Sequence, residues 1–138
     1  MALEREISIV EDNNAELFLT QHLFEQNGYT VFSYANGCDA VAGLRGCMTH
    51  VVLIDLALPD IYGVDVYKRT KHLSHQPLFV SGLLRYTNMQ SMAASCGLSA
   101  DNFMAKPFDN TALLAQVAAL YAREEHIRAE RISAESIA

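Results

Sequence analysis

The chain has 138 residues, 51% of them apolar and 19% charged, with a net charge of -6 and a pI of about 5.2. This fits one ordinary domain with a real core, and the acidic balance argues against nucleic acid as a direct partner, because phosphate backbones require clustered Lys and Arg. Cys38, Cys47 and Cys96 form no CxxC pair and are odd in number, which disfavours a disulfide framework or thiolate metal site and predicts reduced thiols.

The N-terminal stretch MALEREISIVEDNN is too charged for a signal peptide. No apolar run approaches the ~20 residues of a membrane span. A cytoplasmic location is therefore expected, without membrane attachment. The densest basic run, Lys68-Arg69-Thr70-Lys71, reads as a solvated helix face.

Short apolar runs alternate with amphipathic stretches. Ile7–Val10 reads as a buried strand ending in Glu11-Asp12-Asn13-Asn14. From Ala15 to Asn27 the residues Ala15, Phe18, Leu19 and Leu23 lie at helical spacing, and Gly28 is a fitting stop. Thr30–Tyr34 is β-branched and aromatic, hence strand-like. Asp39–Leu44 makes a short helix after a turn at Ala35-Asn36-Gly37. Val51–Ile54 is apolar without a break, as expected of a strand covered on both faces, and ends at Asp55.

Pro59-Asp60 and Gly63 then break the chain before a helix over Val64–His72. Pro77 opens the strand Leu78–Val80, followed by Ser81-Gly82. Thr87–Cys96 is predicted helical, stopped by Gly97. Phe103–Ala105 is a short strand ending at Lys106-Pro107. The last helix begins near Asn110 with an apolar stripe of Leu113, Val117, Leu120 and Tyr121. Five βα repeats predict an α/β fold, a doubly wound five-stranded parallel sheet with helices on both faces.

In such folds ligands bind beyond the carboxyl ends of the strands. The residues just past those ends are Glu11 and Asp12, Asp55, Ser81 and Lys106. Three carboxylates brought together repel unless protons or a cation relieve them. A hard cation with oxygen ligands, Mg²⁺ or Mn²⁺, is the natural occupant. A carboxylate beside a cation can attack phosphorus, and phosphoryl transfer then needs mainly in-line approach and charge compensation, from Lys106 and the Ser81 hydroxyl. Taken singly, each residue has a plain reading: Glu11 as a helix-start charge, Asp12 as a cap, Ser81 as a turn residue, Lys106 as a surface charge. Their common order past the strands makes those readings jointly poor.

IVED at 9–12, LIDLALPDIYG at 53–63, FVSG at 79–82 and FMAKPF at 103–108 resemble the receiver domain of two-component response regulators, from about Ile7 to Tyr121. The resemblance implies a flavodoxin-like (βα)5 receiver fold over 1–121, with 122–138 as a helical extension or linker. It implies Asp55 as phosphoacceptor and Ser81 and Lys106 as its catalytic companions. The metal would be held by Glu11, Asp12, Asp55 and the Ala57 carbonyl. The Lys106-Pro107 bond would be cis.

Ser81 and Phe103 would form the switch, the ring entering space that the serine vacates, so that the face of helix four, strand five and helix five changes. The implied partners are a sensor histidine kinase or phosphotransfer protein and an output domain or effector. The protein would not be an enzyme beyond its own phosphorylation and dephosphorylation. The lengthened segment Gly97–Phe103 resembles receivers fused to EAL-type cyclic-di-GMP phosphodiesterases. The charged tail suits an exposed helix, and dimerisation on phosphorylation is compatible with it, although Glu124 and Arg131 interrupt a coiled-coil seam.

The competing reading from another class is a Mg²⁺-dependent phosphohydrolase with an Asp nucleophile. Haloacid-dehalogenase-like phosphatases carry a second Asp two residues after the nucleophile, where this chain has Ala57. A receiver fold used as an unphosphorylated docking module is the third reading. No Walker-type loop or GxGxxG follows the first strand. His72 and His75 read as surface histidines, His50 and His126 have no evident partner, and the five methionines read as core filler.

Overall fold

The computed structural model describes residues 5–86 and 88–137. The first four residues of the N-terminal stretch, Thr87 at the expected start of a helix, and Ala138 lie outside them. Five strands form one sheet: β1 (Arg5–Val10), β2 (Tyr29–Tyr34), β3 (Val51–Asp55), β4 (Gln76–Ser81) and β5 (Phe103–Ala105). All pairings are parallel, in the order β2-β1-β3-β4-β5. The five helices are α1 (Asn14–Gln26), α2 (Gly37–Gly46), α3 (Gly63–Thr70), α4 (Met89–Cys96) and α5 (Asn110–Ile137). The doubly wound α/β architecture read from the sequence is the one observed.

Every residue of β3 and β4 is buried, which accounts for their unbroken apolar runs. One core layer joins Ile7, Ile9, Leu53 and Leu78 to Phe24 of α1 and to Leu113, Val117 and Leu120 of α5. The other joins Val10, Val52, Ile54 and Phe79 to α2, α3 and α4. The chain order reverses between β1 and β3, so the carboxyl ends of these two neighbours open onto one crevice.

Three expectations are corrected. The apolar stripe of α1 is not Ala15, Phe18, Leu19 and Leu23. Phe18 and Leu19 are 69% and 66% exposed, whereas Leu17, Leu23 and Phe24 pack inward. The segment carries apolar residues on two overlapping faces, and the position of the sheet decides between them. His75 is not on the surface but buried, edge-on to the Tyr67 ring. The tail beyond Tyr121 is not simply exposed. Glu124 is buried and binds Ser74 Oγ (2.7 Å), Gln76 Nε2 (3.4 Å) and Arg128 Nε (2.9 Å). Arg128 also donates to the Ser74 carbonyl (3.0 Å), and its guanidinium lies beside His50, which stacks on Tyr121 at 4.4 Å.

The lengthened segment before β5 is folded onto the body. Ser99 caps a 3-10 turn at Ala100–Asn102, and the buried Asn102 amide donates to the Pro77 carbonyl at 2.8 Å and to Gln76 Oε1 at 3.3 Å. Asp101 pairs with Arg123 of α5 at 3.0 Å. Cys38, Cys47 and Cys96 are free thiols. Among the described residues no helix is long and apolar enough to cross a membrane.

The His75 environment has a consequence for acid stability. The Thr70 hydroxyl donates to the Val66 carbonyl at 2.8 Å, so His75 Nε2, 3.0 Å from Thr70 Oγ1, must carry the ring proton and donate to it. Nδ1 is buried without a hydrogen-bond partner. Burial pushes the imidazole down from 6.5 to about 4. The unfolded chain therefore binds a proton near 6.5 that the folded chain refuses until about 4. Stability is fully present above the higher value and is lost as pH falls through the lower, by about 3 kcal/mol in total. Urea melts of His75→Leu are expected to show a flatter decline between these pH values than the wild type. Equal declines would refute this account.

Candidate functional site

The crevice at the carboxyl ends of β1 and β3 gathers the residues that the sequence placed past its strands. Glu11 follows β1 directly and is buried, and Asp12 beside it is exposed. Asp55 closes β3 and is 8% exposed. One carboxylate oxygen from each of the three lies within 4.8 Å of the others. Such a set of hard anionic oxygens is of the kind that suits a divalent cation.

Burial pushes the Glu11 carboxyl up to about 7, and the neighbouring Asp55 adds to the rise. The backbone amide of Asn13 opposes this by donating to Glu11 Oε1 at 3.0 Å.

Lys106, at the end of β5, reaches across the crevice. Its ammonium lies 3.3 Å from Glu11 Oε2, 3.2 Å from Asp55 Oδ2 and 2.9 Å from Glu16 Oε2. Burial alone would lower its pKa, but hydrogen bonds and charge from Glu16, Glu11 and Asp55 raise it, so the amine stays protonated. The Lys106-Pro107 bond is cis, as the family resemblance implied. The other Asp55 oxygen, Oδ1, accepts the Ala57 amide at 2.9 Å.

The loop after β3 is held against the end of that strand by Gly63. A side-chain carbon there would strike the backbone carbonyl of Asp55, and the Gly63 amide donates to the Leu56 carbonyl at 3.0 Å. The same loop is tied outward by Asp60, which accepts the amides of Gly37 (2.8 Å) and Cys38 (2.7 Å) at the start of α2. These bonds hold the Asp60 carboxyl well below the usual carboxylate range. The sequence marked Asp60 as a chain break and missed this role, although an Asp opposite a helix start is the residue type such amides require.

Ser81 ends β4, and its hydroxyl accepts the Leu83 amide at 3.1 Å. Phe103 opens β5, packed 5.2 Å from Phe79 and 4% exposed. The ring is therefore packed inside, against Phe79. Ala57 and Leu83, two residues past Asp55 and Ser81, are both exposed. Glu16 was read from the sequence only as part of α1.

Comparison with known proteins agrees with this arrangement. Residues 7–118 match the family model of the response regulator receiver domain. The chain is 29% identical over 107 residues to sporulation initiation phosphotransferase F of Bacillus subtilis, covering 78% of this chain and 86% of that protein. It is 27% identical over 128 residues to the transcriptional regulatory protein CseB of Streptomyces coelicolor, covering 91% of this chain but 53% of that one. The chain thus spans about half the length of the first curated relatives it matches. A solved receiver domain protein (CheY-like) from Methanospirillum hungatei superposes with a TM-score of 0.77 at 23% identity, over 90% of this chain and 98% of that one, and shares its fold. Sequence motifs, sheet order and family match converge: the chain belongs to the response regulator receiver domain family, the phosphoacceptor module of two-component signalling.

Proposed function

We propose that Asp55 is the phosphoacceptor, that Ser81 and Lys106 assist transfer, and that Glu11, Asp12, Asp55 and the Ala57 carbonyl hold Mg²⁺ or Mn²⁺. The observation that carries this reading is the Lys106 ammonium lying 3.2 Å from an Asp55 oxygen that shares a cluster with Glu11 and Asp12. When bound, the cation supplies the positive charge that lets an anionic carboxylate meet an anionic phosphoryl group. An Asp55 oxygen attacks phosphorus, the bond to the donor's histidine nitrogen breaks, and that nitrogen keeps the electron pair. Lys106 compensates charge on the phosphoryl oxygens. The Ser81 hydroxyl leaves the Leu83 amide and donates to one of them, and the ring of Phe103 shifts from its place against Phe79 into the space the serine vacates.

The donor would be a sensor histidine kinase or phosphotransfer protein in the cytoplasm. The face of α4, β5 and α5 would act on an output domain or effector, and an EAL-type cyclic-di-GMP phosphodiesterase is the first we would test, by reading the native gene beyond codon 138. The phosphohydrolase alternative lacks a group at Ala57 able to protonate a leaving oxygen.

Incubation with acetyl phosphate and Mg²⁺ tests the reading. A single phosphate on the peptide containing Asp55, absent when the metal is chelated, is the expected result. Phosphate elsewhere, or uptake indifferent to chelation, would reject it.

The same reading predicts a long-lived phosphorylated form. Hydrolysis needs a water held in line with the acyl phosphate bond, and neither Ala57 nor Leu83 can hydrogen-bond one. Ala57→Asn and Leu83→Glu are expected to speed decay several-fold, followed as loss of the phosphate mass. Unchanged or slower decay in both would reject this explanation.

A further inference from the structure

The residue on Lys106 that belongs to none of the assigned roles is Glu16. It makes the shortest of the three contacts to the ammonium, 2.9 Å, although its side chain is 52% exposed. Its placement follows from how α1 begins. Asn13 caps the helix, its side-chain oxygen accepting the Glu16 amide at 3.0 Å, which puts Glu16 at the third helical position. A glutamate there ordinarily reaches back to the backbone amide of the cap residue. Here that amide donates to Glu11 Oε1 at 3.0 Å. The Glu16 carboxylate is thereby released from the cap and turned to Lys106 across the crevice. Glu16, Glu11 and Lys106 line the same open cavity between α1 and the turn after β5.

The three carboxylates around Lys106 are not equivalent. Glu11 and Asp55 belong to the cation cluster, so a bound cation would draw on their charge. Glu16 lies outside that cluster, so a cation held there would leave its contact with the lysine in place. A phosphoryl group on Asp55 would place new anionic oxygens within reach of the same ammonium. Lys106 would then be shared between those oxygens and Glu16, and the Glu16 charge would face the phosphoryl group directly.

We propose that Glu16 is a positioning residue that holds Lys106 in the resting state and competes with the phosphoryl group for it, so that it lowers the affinity of the site for that group. The inference rests on Asp55 being the phosphoacceptor. It makes the strength of the switch adjustable at one exposed position of α1 that carries no core packing.

The test is calorimetric titration with beryllium fluoride and Mg²⁺, a non-covalent phosphoryl mimic. Glu16→Gln is expected to bind about two- to five-fold more tightly than wild type, the range for a partly exposed ion pair. The advantage should shrink as salt is raised, as a charge effect must and a packing effect would not. Glu25→Gln, an exposed glutamate at the far end of the same helix, controls for net charge and should leave affinity unchanged. Thermal melts establish that each variant is folded. Affinity in Glu16→Gln equal to or below wild type, a salt-independent gain, or an equal gain in Glu25→Gln would each overturn the proposal. A wild-type protein that binds no beryllium fluoride would instead overturn the phosphoacceptor reading itself, and this inference with it.

Discussion

Asp55→Asn is expected to abolish phosphate uptake from acetyl phosphate at Mg²⁺ concentrations that saturate wild type. The substitution keeps the shape of the side chain, and the amide oxygen can still accept the Ala57 amide that Oδ1 accepts at 2.9 Å. What it removes is the anionic nucleophile and one negative charge from the cluster with Glu11 and Asp12. A neutral amide does not attack phosphorus at a useful rate, so the loss should reach the background of the measurement. Intact-protein mass spectrometry reads it directly, and an adduct at wild-type yield in the variant would move the acceptor elsewhere. The same change relieves the repulsion that helps hold the Glu11 carboxyl near 7. Asp55→Asn should therefore be at least as stable as wild type in the absence of metal, which separates loss of chemistry from loss of fold.

Arg128→Ala is expected to be strongly destabilising for a partly exposed residue, costing about 3 kcal/mol. The Glu124 side chain is 2% exposed, and Arg128 is the cation that pairs with it at 2.9 Å. Without that guanidinium the carboxylate keeps only the Ser74 hydroxyl and the Gln76 amide. A buried charge left so poorly compensated is costly, whereas replacing both members with apolar groups often is not. The double variant Glu124→Met with Arg128→Leu should thus recover much of the loss. Urea melts of the two variants decide the matter, and a single variant within about 1 kcal/mol of wild type would sink the idea, since exposed pairs contribute no more than that. The clamp also bears on domain extent. We propose that the receiver's packed body runs through Arg128 rather than ending at Tyr121, with the helical extension beginning after it.

What the sequence by itself determined is what local pattern and strand order dictate. Val51–Asp55 and the strand ending at Ser81 are buried on both faces, so they appear as apolar runs that need no partner to be recognised. A parallel βα repeat then brings every strand's carboxyl end to one side. Glu11, Asp12, Asp55, Ser81 and Lys106 were therefore legible as one group before any distance was known. Their chemistry follows from residue type, which folding does not alter.

The tertiary structure decided everything that depends on which face meets which neighbour. Leu17, Leu23 and Phe24 of α1 were chosen over Phe18 and Leu19 because the sheet lies on that side, and both stripes satisfy a helical period. Histidine at position 75 and glutamate at position 124 look like surface residues in any local window. They are buried because the fold supplies partners: Thr70, five residues away across a turn, for His75, and Ser74 and Gln76, some fifty positions away, for Glu124. Glu16 could be read as a helix-start acid, but its contact with Lys106, ninety residues away, exists only because Glu11 takes the amide that would otherwise hold it. Polar groups inside a fold are placed by long-range pairing, and no local periodicity records that pairing.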